Sequence, residues 1–229
     1  MPTNIPILRS IKSFAIRSGK LTTRQQEAID TEWAKYVLPA DTQIPWDKIF
    51  PSNTRVTLDI GFGMGHSLLQ NALNFPDQYF IGIEVYRPGI AALLAEIKTH
   101  NINNIRIFHG DAVEILKHRI PDHALDAIHI FFADPWPKRR HHKRRLIQTA
   151  FVAQLITKLK TGGRLHLATD WEDYAAHMMR VVSPFTALIN TAGENVFSTE
   201  KGNRPPTKYE KRGQKLGHGV WDLIFEKVI

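Results

Sequence analysis

Short apolar runs alternate with helix-length segments from Arg55 onward. The apolar runs are rich in β-branched residues and have the length of strands, and the segments between them have the length of helices. We expect strands at 56–60, 79–85, 105–109, 125–132, 163–168 and 220–227, with the second helix starting near Pro88 and the fourth near Arg145. Strands that alternate with helices build a mostly parallel sheet. The pattern therefore predicts an α/β protein.

Residues 1–54 carry a different pattern, in which scattered basic residues precede three prolines, Pro39, Pro45 and Pro51. Proline fixes φ and removes a backbone donor, so this stretch is typical of an arm followed by an irregular connection. We expect a basic N-terminal arm and connection at 1–54, mostly outside the core, and one globular domain at 55–229.

The charge balance narrows the choice of partner. The 229 residues include 30 Lys and Arg against 22 Asp and Glu, a net charge of +8, which favours nucleic acid ahead of an anionic membrane surface. No apolar run approaches the roughly 20 residues of a membrane span, and a secretory signal is missing, so a cytoplasmic location is expected. The lack of cysteine excludes disulfides and thiolate chemistry.

A glycine turn, LDIGFGMG at 58–65, follows the first predicted strand. Gly61 and Gly63 permit positive φ and a close approach of ligand to backbone. A dinucleotide-binding turn needs a third glycine where this chain has His66, so nicotinamide and flavin cofactors are disfavoured. A glycine turn preceded by an acid suits a ligand with a cationic amino-acid tail, such as S-adenosylmethionine.

Three acids lie at or after successive strand ends: Asp59 precedes the glycine turn, Glu84 ends the second strand and Asp111 follows the third. A carboxylate at the second strand end can accept hydrogen bonds from both ribose hydroxyls, and one after the third can meet an adenine amino group. Any one of these acids could simply begin a loop. The three together favour a cofactor site.

The fourth strand runs into Asp134, which is followed by Pro135 and Trp136. In open α/β sheets this edge is where ligands bind. Proline biases Asp134 toward an extended conformation, and Trp136 offers a face on which a base can stack. On composition alone, a loop acid beside a core Trp is the simpler interpretation, but the upstream glycine turn favours a site.

Residues 138–145 contain six fixed positive charges and no acid: Lys138, Arg139, Arg140, Lys143, Arg144 and Arg145. Solvated helix faces usually mix both signs, so we interpret this run as a clamp for RNA phosphates. The two histidines within it make a poor metal site, and no metal is expected. After the fifth strand, Asp170 can either cap a helix or accept hydrogen bonds from guanine.

These motifs together resemble the bacterial tRNA (guanine-N7-)-methyltransferases, from about residue 8 to the C-terminus. The segments that carry the resemblance are DIGFGMG at 59–65, FADPWPK at 132–138, ATDW at 168–171 and TKYE at 207–210. The resemblance implies a Rossmann-like class I methyltransferase fold with a last antiparallel strand, at 55–229. It also implies formation of 7-methylguanosine in the variable loop of tRNA, with S-adenosylmethionine as the methyl donor.

Carried over by position, the resemblance implies cofactor contacts from Asp59, Gly61, Gly63, Glu84, Asp111 and Asp134, with Asp134 also at the catalytic position. It implies substrate contacts from Lys138, Asp170, Thr207, Lys208, Tyr209 and Glu210. The family usually has proline where this chain has Ala133 and glutamate where it has Asp59. The first change could loosen the turn, and the second keeps the charge.

Guanine N7 carries a lone pair and no proton, so its methylation needs no general base and positioning should dominate catalysis. Two alternatives stay open, methylation of an exocyclic amine on nucleic acid and a non-catalytic RNA-binding module on a Rossmann-like fold. An oxidoreductase is a third, disfavoured by His66. No obligatory protein partner is expected, and the sequence does not decide between a monomer and a homodimer.

Overall fold

The computed structural model describes residues 12–15, 19–39, 45–202, 204–205 and 219–229. Its strands are β1 (Val37–Leu38), β2 (Val56–Ile60), β3 (Tyr79–Glu84), β4 (Ile105–His109), β5 (Leu125–Phe131), β6 (Leu159–Thr169), β7 (Leu188–Asn190) and β8 (Trp221–Lys227). Its α-helices are α1 (Thr23–Tyr36), α2 (Trp46–Ile49), α3 (His66–Asn74), α4 (Arg87–His100), α5 (Ala112–Arg119), α6 (Thr149–Lys158) and α7 (Glu172–Val182). A 3₁₀ helix occupies Arg139–Arg144.

The strands form one sheet in the order β1-β4-β3-β2-β5-β6-β8-β7. Pairs on the β1-to-β6 side are parallel, and β8 runs antiparallel to both β6 and β7. The predicted α/β class and antiparallel last strand are confirmed. The two strands that the pattern missed, β1 and β7, have two and three residues, too few for a periodicity to show.

Helices cover the sheet on both faces. Leu58, Ile60 and Ile128 belong to a cluster that includes α5, α6 and α7, and Phe80 and Ile107 belong to a second one that includes α1, α3 and α4. Because strand side chains alternate between faces, Asp59 and His129 point away from the first cluster. None of the described helices is long and apolar enough to cross a membrane.

The expectation that residues 1–54 lie mostly outside the core is wrong for α1. Its Ala28, Ile29 and Tyr36 are buried against α4, and the Tyr36 hydroxyl donates to the carbonyl of Ile102 at 2.7 Å. The helix begins in a capping box in which Thr22 and Gln25 bond each other's backbone N–H groups. The three-residue spacing of Thr22 and Gln25 is the sequence signature of such a capping box and could have predicted the start of α1. The scattered basic residues of this segment favoured an arm instead.

Candidate active site

The acids singled out in the sequence come together at one edge of the sheet. The strands β4, β3, β2, β5 and β6 are neighbours in that order, and all five run parallel. In the same order, at or near their carboxyl ends, stand Asp111, Glu84, Asp59 with its glycine turn, Asp134 and Asp170. The chain order reverses between β2 and β5, and such a switch point opens a binding crevice.

The glycine turn borders this crevice. Gly61 and Gly63 have φ of +74° and +59°, and a Cβ built on either would meet nothing within 4 Å. A Cβ built on Gly65 would instead meet the side chain of Leu93. A Cβ built on Gly89, at the start of α4, would lie only 2.0 Å from the carbonyl oxygen of Gly63, so this close approach requires glycine. Two glycines therefore leave room for a ligand while two others pack the turn, and the role of Gly89 was not foreseen.

Asp59 is 3% exposed, and its Oδ2 is buried without a hydrogen-bond partner among the described residues. Burial, together with the nearby charge of Glu84, raises the pKa of Asp59 to about 7. A buried, unpaired carboxylate oxygen is costly unless a donor or cation meets it. The cationic ammonium of an amino-acid tail fits this requirement.

Glu84 ties the turn to the sheet. Its Oε2 accepts from the backbone N–H of Gly63 at 2.7 Å, and its Oε1 accepts from those of Val85 and Tyr86 at 2.7 and 3.0 Å. A carboxylate has about four acceptor positions, so roughly one stays open for a ribose hydroxyl. The prediction that Glu84 serves both hydroxyls would require one of these backbone bonds to be exchanged.

Asp111 caps α5, accepting from the N–H of Val113 at 3.1 Å. Its Oδ2 also takes a hydrogen bond and ion pair from Lys12 at 2.7 Å. Sequence reasoning missed Lys12 because it lies 99 residues away along the chain. The N-terminal segment thus contributes a residue to the edge of the crevice.

Asp134 is exposed and makes no hydrogen bond or ion pair with another described residue. Phe132 and Trp136, on either side of it, have positive φ of +55° and +45°. Each such conformation in a bulky residue costs on the order of 1–3 kcal/mol and is kept where the surrounding structure enforces it. The turn is therefore held in a strained conformation that presents the Asp134 carboxylate at the switch point.

One face of the Trp136 ring, which is predicted from the sequence to stack a base, is covered within the protein. The Arg144 guanidinium lies 3.8 Å from the ring centroid, and the indole N–H donates to the carbonyl of Ser13 at 3.0 Å. Trp171, beside Asp170, is 40% exposed. Of these two tryptophans, Trp171 is the more accessible to a base.

The basic run divides into an outer and an inner set. Lys138, Arg139, Arg140 and Lys143 are exposed on or beside the 3₁₀ helix and form what we call the basic patch. Arg144 instead donates to the carbonyls of Lys12 and Phe14, both at 3.1 Å.

The assignment of Arg145 to the phosphate clamp is wrong, because its side chain is 0% exposed. It donates to the carbonyl of Pro135 at 2.9 Å, pairs with Asp173 and lies over the ring of Tyr174. Arg145 therefore joins the Asp134 turn to the first turn of α7. The charge run gave no sign that one member points inward.

Asp170 precedes α7 but does not cap it. The N-cap residue is Trp171, whose N–H donates to Thr169 Oγ1 at 3.2 Å, and no side chain caps the helix. Asp170 has no hydrogen-bond or ion-pair partner among the described residues. Capping therefore does not account for this acid. The other predicted substrate residues, at 207–210, lie outside the described residues.

No group of three His, Cys, Asp or Glu among the described residues is placed to hold a metal ion.

Solved structures place the fold among class I methyltransferases. The 16S rRNA methyltransferase KamB matches with a TM-score of 0.58 at 12% identity, covering 82% of this chain and 96% of that one. The aminoglycoside resistance methyltransferase NpmB1 matches with a TM-score of 0.54 at 15% identity, covering 80% and 91%. At these identities the likeness concerns the fold alone.

Sequence comparison gives the family. A family model described as "Putative methyltransferase" matches residues 53–223. A tRNA (guanine-N(7)-)-methyltransferase of Alcanivorax borkumensis is 48% identical over 227 residues, covering 99% of this chain and 95% of the relative. One of Neisseria meningitidis is 48% identical over 221 residues, covering 96% and 92%. The chain belongs to the tRNA (guanine-N(7)-)-methyltransferase family.

Proposed function

We propose that this protein transfers the methyl group of S-adenosylmethionine to N7 of a guanine in the variable loop of tRNA. The observation that carries the proposal is the row of acids along the crevice, of which Asp59 and Glu84 are buried on one side of the switch point and Asp134 and Asp170 are more exposed and without a described partner on the other. Family membership supports the choice of tRNA. The cofactor supplies an electrophilic methyl group on a sulfonium.

The buried side of the row fits the cofactor. Asp59 presents an unpaired buried oxygen for the ammonium of the amino-acid tail, Gly61 and Gly63 leave space beside it, and Glu84 keeps an acceptor position for a ribose hydroxyl. Asp111 has one oxygen on Lys12 and the other on the α5 cap, and each oxygen retains acceptor capacity for an adenine amino group.

The exposed side fits guanine. Its N1–H and N2–H₂ are donors, and Asp134 and Asp170 are carboxylates without a described partner at neighbouring strand ends. Carboxylates that hold this edge turn N7 toward the cofactor side. N7 carries no proton, so the residues of the site have only to hold the base in line and exclude water. For the same reason, we propose that the reaction needs no metal.

The basic patch positions the RNA. Lys138, Arg139, Arg140 and Lys143 follow the Asp134 turn directly, so phosphates bound there lie beside the target base. A guanine must leave its stack to reach a crevice at a sheet edge. The acids of both sides lie on one chain, which supports a catalytic unit without an obligatory partner protein. A tRNA substrate supports a cytoplasmic location.

The test is to incubate the protein with methyl-labelled S-adenosylmethionine and unmodified bulk tRNA, then digest the RNA and identify the labelled nucleoside. Label in 7-methylguanosine is the expected result, and Asp134→Asn should not produce it. Label in another nucleoside would refute the target atom. Cofactor binding without any transfer to tRNA would refute the substrate.

A further inference from the structure

A buried ion pair lies beneath the exposed side of the crevice, outside the residues assigned so far. Arg204 is 0% exposed and Asp222, on β8, is 4% exposed. Two parallel hydrogen bonds of 2.8 Å join them, from Nε to Oδ1 and from Nη2 to Oδ2. His166 of β6 shares Oδ1 at 2.8 Å, so the carboxylate is held from two sides.

This pair touches the strand end that presents Asp134. The Arg204 guanidinium lies 6.0 Å from the Phe131 ring centroid and 5.4 Å from that of Phe132. Phe132 is one of the two residues with positive φ in the Asp134 turn. A shift of the guanidinium would therefore reach Asp134 through the strained backbone of Phe132 and one further residue, Ala133.

The same pair also lies close to the strand end that presents Asp170. Asp222 is the register partner of Ala168 on β6, two residues before Asp170, and Ala168 in turn pairs with Phe131 on β5. The pair thus lies against both strand ends that present the acids of the exposed side.

Stability alone does not call for this arrangement. A buried ion pair gains little over well-packed apolar residues of the same volume, because both charges must leave water. What it adds is direction, since a planar guanidinium can meet a carboxylate with two bonds and lie over aromatic rings in few orientations. We infer that Arg204 and Asp222 are positioning residues that hold Asp134 and Asp170 in register for guanine. This inference rests on the proposed function.

The experiment compares single variants with a double variant that replaces the pair by apolar residues. Arg204→Met and Asp222→Leu each remove one member of the buried two-bond pair and should lower the thermal midpoint. The double variant removes both charges, so its midpoint should lie above those of the two single variants, and its dissociation constant for S-adenosylmethionine should stay within about twofold of the wild type. Its kcat/KM for tRNA should nevertheless stay at least about tenfold below the wild type. A purely structural pair would give full recovery of kcat/KM, which would overturn the inference.

Two further variants secure the comparison. Arg204→Lys keeps the charge beside Asp222 but loses the two-bond geometry, and its kcat/KM for tRNA should fall by the same factor as that of the double variant. This variant replaces the double variant in the comparison if the double variant melts below the assay temperature. Wild-type kcat/KM in Arg204→Lys would contradict the inference. Lys158→Met breaks an ion pair with Asp122, remote from the crevice at the end of α6, and should change the midpoint but not kcat/KM. A wild-type protein that fails to methylate tRNA would sink the proposed function instead.

Discussion

The cofactor side and the substrate side of the crevice differ in how the protein holds their acids. On the cofactor side, Asp59 and Glu84 are buried, and Glu84 is held by three backbone N–H groups. On the substrate side, Asp134 is exposed and Asp170 half-buried, and neither has a partner among the described residues. Under the proposed function, the fold itself organises the cofactor side, whereas the RNA completes the substrate side.

The largest expected effect is at the junction of the two sides. Asp134→Asn should lower kcat/KM for tRNA by about 100-fold or more, because the amide no longer accepts from both guanine donors at a site built for that pattern. The thermal midpoint should not change, since the carboxylate is exposed and unpaired. Steady-state kinetics and thermal unfolding measure the two quantities. The control is Asp77→Asn, which changes an exposed acid at the opposite end of the strands. Activity near wild type in Asp134→Asn would refute the catalytic role of Asp134.

Next in size is the contrast within the basic run. Arg145→Gln should destabilise the fold by about 1–3 kcal/mol, because the Pro135 carbonyl loses its buried donor, while the exposed Asp173 carboxylate is solvated by water. Arg140→Gln, five residues earlier and exposed, should change stability by less than about 0.5 kcal/mol. Chemical denaturation compares them. Equal stability of the two variants would mean that the inward position of Arg145 does not matter.

A smaller effect separates binding from chemistry. Changing Lys138, Arg139, Arg140 and Lys143 together to Gln should raise KM for tRNA about tenfold at moderate salt and leave cofactor affinity unchanged. The slope of log K against log salt should become shallower by up to about 3, since each lost phosphate contact contributes about 0.7–0.9. An unaltered salt slope would remove the basic patch from RNA binding.

The smallest expected effect is a pH dependence that only the cofactor side should show. In the proposed function the cofactor's ammonium pairs with ionised Asp59, whose pKa is raised to about 7, so cofactor affinity should fall up to tenfold per pH unit as pH drops below 7. The same raised pKa makes the unliganded fold less stable as pH rises from about 4 to about 7. Asp59→Asn should bind more weakly at pH 8 and abolish both dependences. Calorimetry across pH checks this, and an unchanged pH profile in the variant would count against the pairing.

The strand pattern and the acids at the strand ends were predictable from sequence, because a buried parallel sheet requires apolar runs and its carboxyl edge is defined by chain direction. Lys12 and Arg204 were not, since each reaches its partner through tertiary contacts that no local spacing records. For Arg145 the sequence showed the residue but not its place in the structure. Its charge was visible, but its direction is decided by packing against Tyr174.

The most direct test of this division is to measure cofactor affinity and tRNA turnover together in Glu84→Gln and Asp170→Asn. Glu84→Gln should weaken S-adenosylmethionine binding at least about tenfold, because its amide nitrogen cannot accept from the backbone N–H groups that the carboxylate holds. Asp170→Asn should leave that affinity within about twofold of the wild type and lose most turnover on tRNA. A loss of cofactor affinity in Asp170→Asn equal to that in Glu84→Gln would contradict the account of two separate sides.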